Sequence, residues 1–206
     1  MSGLNVKAIL FDLGGVLIDL EPSRVFEHWA KVASVTPSSL AARWKIDDAY
    51  KSHEKGELEF VEYTRHLGRQ LGISIPPGDW QTGWNALLGQ PFPYVLSRLS
   101  ELGQQTPLFC FSNTNQTHWA SLEARTNHRQ LVSFFQKIYL SYAIGRRKPD
   151  VESYRWVARD MGYQPADITF LDDNEANING AEQAGFCTHH VKGPQVVIDF
   201  LDTLLA

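Results

Sequence analysis

The sequence predicts an α/β fold, a parallel sheet with helices on both faces and a helical segment inserted after the first strand. Three observations carry that expectation. Five apolar runs stop abruptly at polar or turn residues, amphipathic segments lie between the later runs, and the interval from about Asp19 to Gln90 has a different character. Strands that alternate with helices pair in parallel and put helices on both faces of the sheet.

The first run, Val6–Phe11 (VKAILF), ends at Asp12 with Gly14 and Gly15 behind it, and so reads as a buried strand entering a turn. The interval from Asp19 to Gln90 is rich in Trp, His and charged residues at helical spacing and offers no convincing β-run. Within it Leu58, Val61, Glu62, Arg65 and Leu67 suit an amphipathic helix after the break at Gly56. Pro91-Phe92-Pro93 marks the return to the sheet, so residues 1–18 and 92–206 are expected to form the core and residues 19–91 a helical cap. Helix Pro93–Leu102 leads to strand Pro107–Phe111 before Ser112, and helix Gln116–Ala124 leads to strand Lys137–Leu140 before Ser141. Val151–Met161 reads as helix, Ile168–Leu171 as strand before Asp172, Glu175–Ala184 as helix, and Cys187–Val191 as the fifth strand.

Composition narrows the function. A chain of 206 residues holds one domain, or one with a modest insertion. A net charge of -4 leaves no basic footprint, so nucleic acid is not expected as a partner. Asp12 and Asp19 interrupt the apolar stretch from Ala8 to Leu20, which argues against a signal peptide, and no run approaches the ~20 apolar residues a membrane span needs. Cys110 and Cys187 sit far apart in apolar runs and are expected as buried free thiols, which fits a reducing cytoplasm. Nothing in the sequence demands a second copy of the chain.

Ligands of open parallel sheets bind outside the carboxyl ends of the strands. There stand Asp12, then Ser112-Asn113, then Lys148, then Asp172-Asp173. A carboxylate can attack phosphorus and split one hard displacement into two easier ones. Adjacent acids after a buried strand repel each other unless a cation compensates, and a hard cation such as magnesium suits oxygen ligands. A lysine and a hydroxyl beside backbone amides hold phosphoryl oxygens.

Four segments, FDLGGVLID, FSNTN, RRKPD and FLDDNEANINGA, resemble in order and spacing the four motifs of the haloacid dehalogenase-like (HAD) hydrolase superfamily. The match covers the whole core, and the inserted segment resembles that superfamily's small helical (C1) cap. With HEKGEL in the cap, the set is similar to a bacterial branch of α-D-glucose-1-phosphate phosphatase-like enzymes. The resemblance implies a Rossmann-like core and a magnesium-dependent phosphatase acting on a small phosphorylated metabolite, such as a hexose 1-phosphate, through an aspartyl-phosphate. Asp12 is then the nucleophile, Asp173 the main metal carboxylate, Asp172 a second metal contact, direct or through water, and the Gly14 backbone carbonyl a further metal ligand. Ser112 and the amide of Asn113 bind phosphate, and Lys148 pairs with both phosphate and Asp12. Asn177 falls where many relatives place another acid and is assigned a secondary role.

One departure stands out. Most phosphatases of the superfamily carry an acid–base aspartate two residues after the nucleophile, where this chain has Gly14. Such a group contributes about 10²–10⁴-fold. A bound water or a cap residue such as His53 is the expected replacement, and an anomeric phosphate needs less help from either. The glycine also keeps two alternatives open: a 2-haloacid dehalogenase-type hydrolase, which the paired acids disfavour, and a catalytically silent phosphosugar-binding protein. A phosphoglucomutase, which needs the acid twice, is disfavoured.

The remaining candidates read as scaffold. Gly14-Gly15 lacks the full G-x-G-x-x-G of a dinucleotide loop. His189-His190 is expected to be structural, and Trp29, Trp44, Trp80 and Trp84 to pack cap helices. Arg146 and Arg147 are expected on the surface, solvated or paired there. Tyr50, His53 and Glu54 fit either a sugar contact or a solvated helix face.

Overall fold

A computed structural model describes residues 6–205. Its strands are β1 (Ala8–Phe11), β2 (Ile18–Leu20), β3 (Leu88–Pro91), β4 (Leu108–Ser112), β5 (Lys137–Leu140), β6 (Ile168–Asp172) and β7 (Cys187–His190). Five of them form one sheet in the order β5-β4-β1-β6-β7, every neighbouring pair parallel. The order reverses at β1, so the crevice of this sheet opens beside the residue that follows Phe11.

Both faces of β1 are covered, which is why its run is apolar without alternation. Ile9 and Phe11 face one core layer with helix α6 (Pro93–Leu102), helix α7 (Gln116–Glu123), helix α8 (Thr126–Val132) and the C-terminal helix Pro194–Leu205. Ala8 and Leu10 face the other, built on helices Val151–Met161 and Glu175–Gln183. Helix α9 (Ser141–Ile144) follows β5; the helices after β6 and β7 are then α11 and α12, and Val151–Met161 is α10. The sequence reading had no element at α8, α9 or α12 (Pro194–Leu205).

Between β2 and β3 run α1 (Pro22–Ala33), α2 (Pro37–Ala41), α3 (Asp48–Glu54), α4 (Phe60–Leu71) and α5 (Pro77–Asn85). They share their own apolar cluster around Trp29, Tyr63, Leu67, Trp80 and Trp84. Trp29 meets Trp80 at 5.0 Å and stacks on Trp84 at 6.0 Å, so these tryptophans pack the inserted helices together as expected. α4 buries Tyr63, Leu67 and Leu71, whereas Val61, read as part of its apolar pattern, is 59% exposed.

The absence of a β-run between Asp19 and Gln90 is overturned. β2 and β3 pair antiparallel, with Leu20 opposite Leu88. Further bonds from Glu21 N to Leu87 O and from Phe92 N to Leu17 O fasten the ribbon at both ends. Among the described residues no helix is long and apolar enough to cross a membrane. Both cysteines are free; Cys110 is buried as expected, but Cys187 is exposed because β7 is an edge strand.

Candidate active site

The carboxyl ends of β1, β4 and β6 bring the sequence-predicted residues around one cavity of about 440 Å³. Asp12, Gly14, Ser112, Asn113, Lys148 and Asp173 all line it. Asp172, the last residue of β6, lies fully buried beneath. Asp12, Asp172 and Asp173 each offer a carboxylate oxygen within 4.8 Å of the others. Three carboxylates so close repel one another unless a cation is shared, and an all-oxygen donor set fits magnesium.

The turn after β1 shapes the rest of that donor set. Ile18 N bonds to Leu13 O and Gly15 N to Ile18 O, which leaves the Gly14 carbonyl outside both bonds. Gly15 takes φ +74°, and a Cβ there would meet Asp173 Oδ2 at 2.3 Å. Only glycine allows both that conformation and the approach of Asp173.

Lys148 is the positive centre. It is 1% exposed, and its Nζ lies 2.8 Å from Asp12 Oδ1 and 2.6 Å from Asp172 Oδ2. Burial opposes its charge, but Asp12 and Asp172 outweigh burial and raise its pKa above the ordinary lysine value. Burial pushes the Asp12 carboxyl up to about 7, Lys148 pulls it back, and Asp172 adds to the rise. Burial and then Asp172 also raise Asp173. A cation at this site would favour the charged form of all three acids.

Asp172 is already committed to the protein. Besides Lys148, it accepts from Asn174 N at 2.8 Å and from Asn177 Nδ2 at 3.0 and 3.1 Å. Its four acceptor positions are thereby largely filled, so it orients the lysine rather than presenting a free edge. Asn177 is the partner that fixes it. Asn113 has a similar supporting role: its side chain donates to Lys148 O and accepts from Lys148 N, both at 2.9 Å. The Asn113–Lys148 clamp joins positions 35 apart, and no local pattern announces it.

The inserted segment supplies Leu20, Ile46, Tyr50, Glu54, Leu87 and Leu88 to the cavity wall. His53 is not among the lining residues. Its Nδ1 bonds to Leu58 O at 2.8 Å, and its ring stacks on Tyr63 at 4.7 Å, so it has no place as the replacement acid. His118 does line the cavity, with Nε2 donating to Trp84 O at 2.9 Å and Nδ1 accepting from Asn115 Nδ2 at 3.1 Å. Both nitrogens are engaged, and burial lowers its pKa to about 4. Glu54 and Arg147 depart from a solvated reading. Glu54 is 5% exposed and takes two bonds from Arg147, Nε at 2.9 Å and Nη2 at 2.7 Å. Arg146 instead lies over the Trp156 ring at 5.5 Å, and His190 bonds to Asp173 O at 3.0 Å.

Known proteins share this arrangement of chain. A family model for haloacid dehalogenase-like hydrolases matches residues 6–185. A D-ribitol-5-phosphate phosphatase of Bacteroides thetaiotaomicron is 25% identical over 186 residues, covering 89% of this chain and 90% of its own. An enolase-phosphatase of a Sulfurihydrogenibium species is 30% identical over 198 residues, covering 88% of this chain and 85% of its own. The crystal structure of a HAD family enzyme from Bacteroides thetaiotaomicron, complexed with magnesium and inorganic phosphate, superposes with TM-score 0.80 at 29% identity. The match covers 91% of this chain and 95% of that one.

Proposed function

Since this chain belongs to the haloacid dehalogenase-like hydrolase family, we propose that it is a magnesium-dependent phosphatase of a small phosphorylated metabolite, a sugar phosphate such as a hexose 1-phosphate. One observation carries the reading: three carboxylates converge within 4.8 Å beside a buried lysine, at the floor of a cavity sized for a small molecule. The magnesium and phosphate bound by the Bacteroides HAD enzyme support it. Paired acids have no task in displacing halide from carbon, so a dehalogenase is the weaker reading.

In this reading Asp12, Asp173 and the Gly14 carbonyl hold the cation, with Asp172 behind them as a supporting contact. When bound, magnesium neutralises phosphoryl oxygen charge and aligns it with Asp12. Ser112, the Asn113 amide and Lys148 bind the phosphoryl oxygens. A carboxylate oxygen of Asp12 attacks phosphorus; the bond to the ester oxygen breaks, and the departing oxygen takes its proton from water. Water then attacks the phosphorus of the aspartyl-phosphate, releasing inorganic phosphate and restoring Asp12. Residues 19–91 act as the cap, closing over residues 1–18 and 92–206 to exclude bulk water and large substrates. Two free cysteines suit a cytoplasmic setting.

The experiment is phosphate release from a panel of sugar phosphates with magnesium, repeated with chelator and with Asp12→Asn. Chelator removes turnover, and Asp12→Asn lowers it by at least about 10⁴-fold with the circular dichroism spectrum retained. Near wild-type turnover in Asp12→Asn refutes the nucleophile. Chloride release from 2-chloroacids without phosphate release returns the dehalogenase.

A further inference from the structure

Six residues of the inserted segment line the cavity, and four of them are leucine or isoleucine. Only Tyr50 and Glu54 carry polar side chains there, and they stand four apart on one face of α3. A carboxylate buried in an apolar wall is costly unless paired. Arg147 pairs it from the core, one residue before the catalytic lysine, but both of its bonds go to Oε2. The ion pair is therefore not the side-by-side fork of two nitrogens on two oxygens, and Oε1 lies outside it. Tyr50 lies against this carboxylate: after burial, the Glu54 charge and the hydrogen bond between the two side chains keep its hydroxyl protonated, and its oxygen still has acceptor capacity for a substrate hydroxyl.

We infer that Glu54 and Tyr50 recognise hydroxyl groups on an uncharged leaving group, and that Glu54 turns away substrates carrying a second anion by cancelling the charge of Arg147. The inference rests on the phosphatase reading above and names its substrate class. A carboxylate oxygen only accepts, so its partner is a donor such as a sugar or polyol hydroxyl. A second carboxylate or phosphate on the substrate meets like charge at Oε1. Without Glu54, Arg147 would face the cavity as an unpaired guanidinium, the group best shaped to hold such an anion. Selectivity here comes from exclusion as much as attraction.

The test measures kcat/KM on glucitol 6-phosphate and 6-phosphogluconate, which differ at the far end as hydroxymethyl and carboxylate, with p-nitrophenyl phosphate as a probe without hydroxyls. Wild type prefers the glucitol ester by at least about tenfold, and Glu54→Gln cuts that preference at least about tenfold, chiefly through KM. A change in preference of less than about threefold overturns the exclusion. Tyr50→Phe keeps the ring against Trp44 and Tyr63. It lowers kcat/KM for the glucitol ester at least about threefold relative to p-nitrophenyl phosphate, and no relative loss overturns the hydroxyl contact. Should wild type release phosphate from none of the three probes, the phosphatase reading falls and this inference with it. Release without the predicted split removes this inference alone.

Discussion

The δ1 carbon of Leu20 lies 2.6 Å from the point where a side chain on Gly14 would begin. Leu20 ends β2 and pairs with Leu88 of β3, so the ribbon at the root of the inserted segment also fills the space beside Gly14, where the sequence lacks the expected acid–base group. The glycine carries no left-handed strain, and the obstacle is steric alone. Gly14→Ala and Gly14→Asp should both destabilise, since overpacking costs about 1–3 kcal/mol. For a chain of this size that lowers Tm by roughly 2–12 °C. Leu20→Ala beside Gly14→Asp should recover most of the loss. An unchanged Tm in Gly14→Ala would show that Leu20 moves aside freely.

Lack of that acid makes the reaction sensitive to its leaving group. Phosphate esters whose departing oxygen is already acidic should turn over faster than those of ordinary alcohols, by about 10²-fold or more where protonation limits the rate. A plot of log kcat against leaving-group pKa over aryl, anomeric and primary alkyl phosphates measures this. A flat plot would mean that another group supplies the proton, or that chemistry does not limit turnover.

How much of this was legible in the sequence depends on the range of the interactions. β1, β4 and β6 are each a short run buried along its whole length at the centre of the sheet, and such runs declare themselves locally, while the edge strands β5 and β7 carry weaker, partly exposed runs. The polar residues that stop them, Asp12, Ser112 and Asp172-Asp173, are the ones the sheet brings to one crevice. β3 was not legible because Gly89 and Pro91 depress strand propensity. It exists through pairing with β2, where Gly89 lets the chains approach so closely that a Cβ would sit 2.8 Å from Asp19 Cβ. Glu54–Arg147 spans 93 positions and Asn113–Lys148 spans 35, so neither leaves a periodic signal. Each charged partner, read alone, resembles a solvated side chain.

Lys148 compensates two buried acids at once, which makes it structural as well as catalytic in the proposed reaction. Lys148→Met removes the compensation while filling most of the volume. Breaking such a buried network costs about 3–5 kcal/mol. Without metal, Tm should fall by roughly 6–20 °C, and saturating magnesium should restore part of it by screening Asp12 from Asp172 and Asp173. Equal losses with and without magnesium would separate the lysine from the carboxylate cluster.

Magnesium should stabilise the wild-type chain by mass action, about 2.7 kcal/mol at a hundredfold excess over Kd. Asp173 is exposed enough to lose its charge without leaving a buried hole. Asp173→Asn should therefore keep the metal-free Tm within about 2 °C of wild type and weaken the magnesium-dependent rise. Titration by calorimetry or thermal shift reads both quantities. A full magnesium response in Asp173→Asn would move the cation to another donor set.

His118 supplies a pH dependence whose sign can be worked out. Its pKa falls to about 4 because burial disfavours the imidazolium; the bond to Trp84 O pulls it part of the way back up, and His53 lowers it further. The unfolded chain, with an ordinary histidine near 6.5, takes up the proton first. This contribution is therefore complete above about pH 6.5 and is lost as pH falls towards about 4, by about 3 kcal/mol over the whole window. Asp12, raised to about 7, pulls the opposite way as pH falls from 7 towards the ordinary carboxylate value of 3.8, so the two must be separated. His118→Gln keeps a donor and an acceptor but does not titrate in this range. Urea unfolding between pH 7 and pH 4.5 should show a smaller loss of stability in His118→Gln than in wild type. Parallel pH profiles for the two proteins would mean that His118 protonates in the folded state as readily as in the unfolded one.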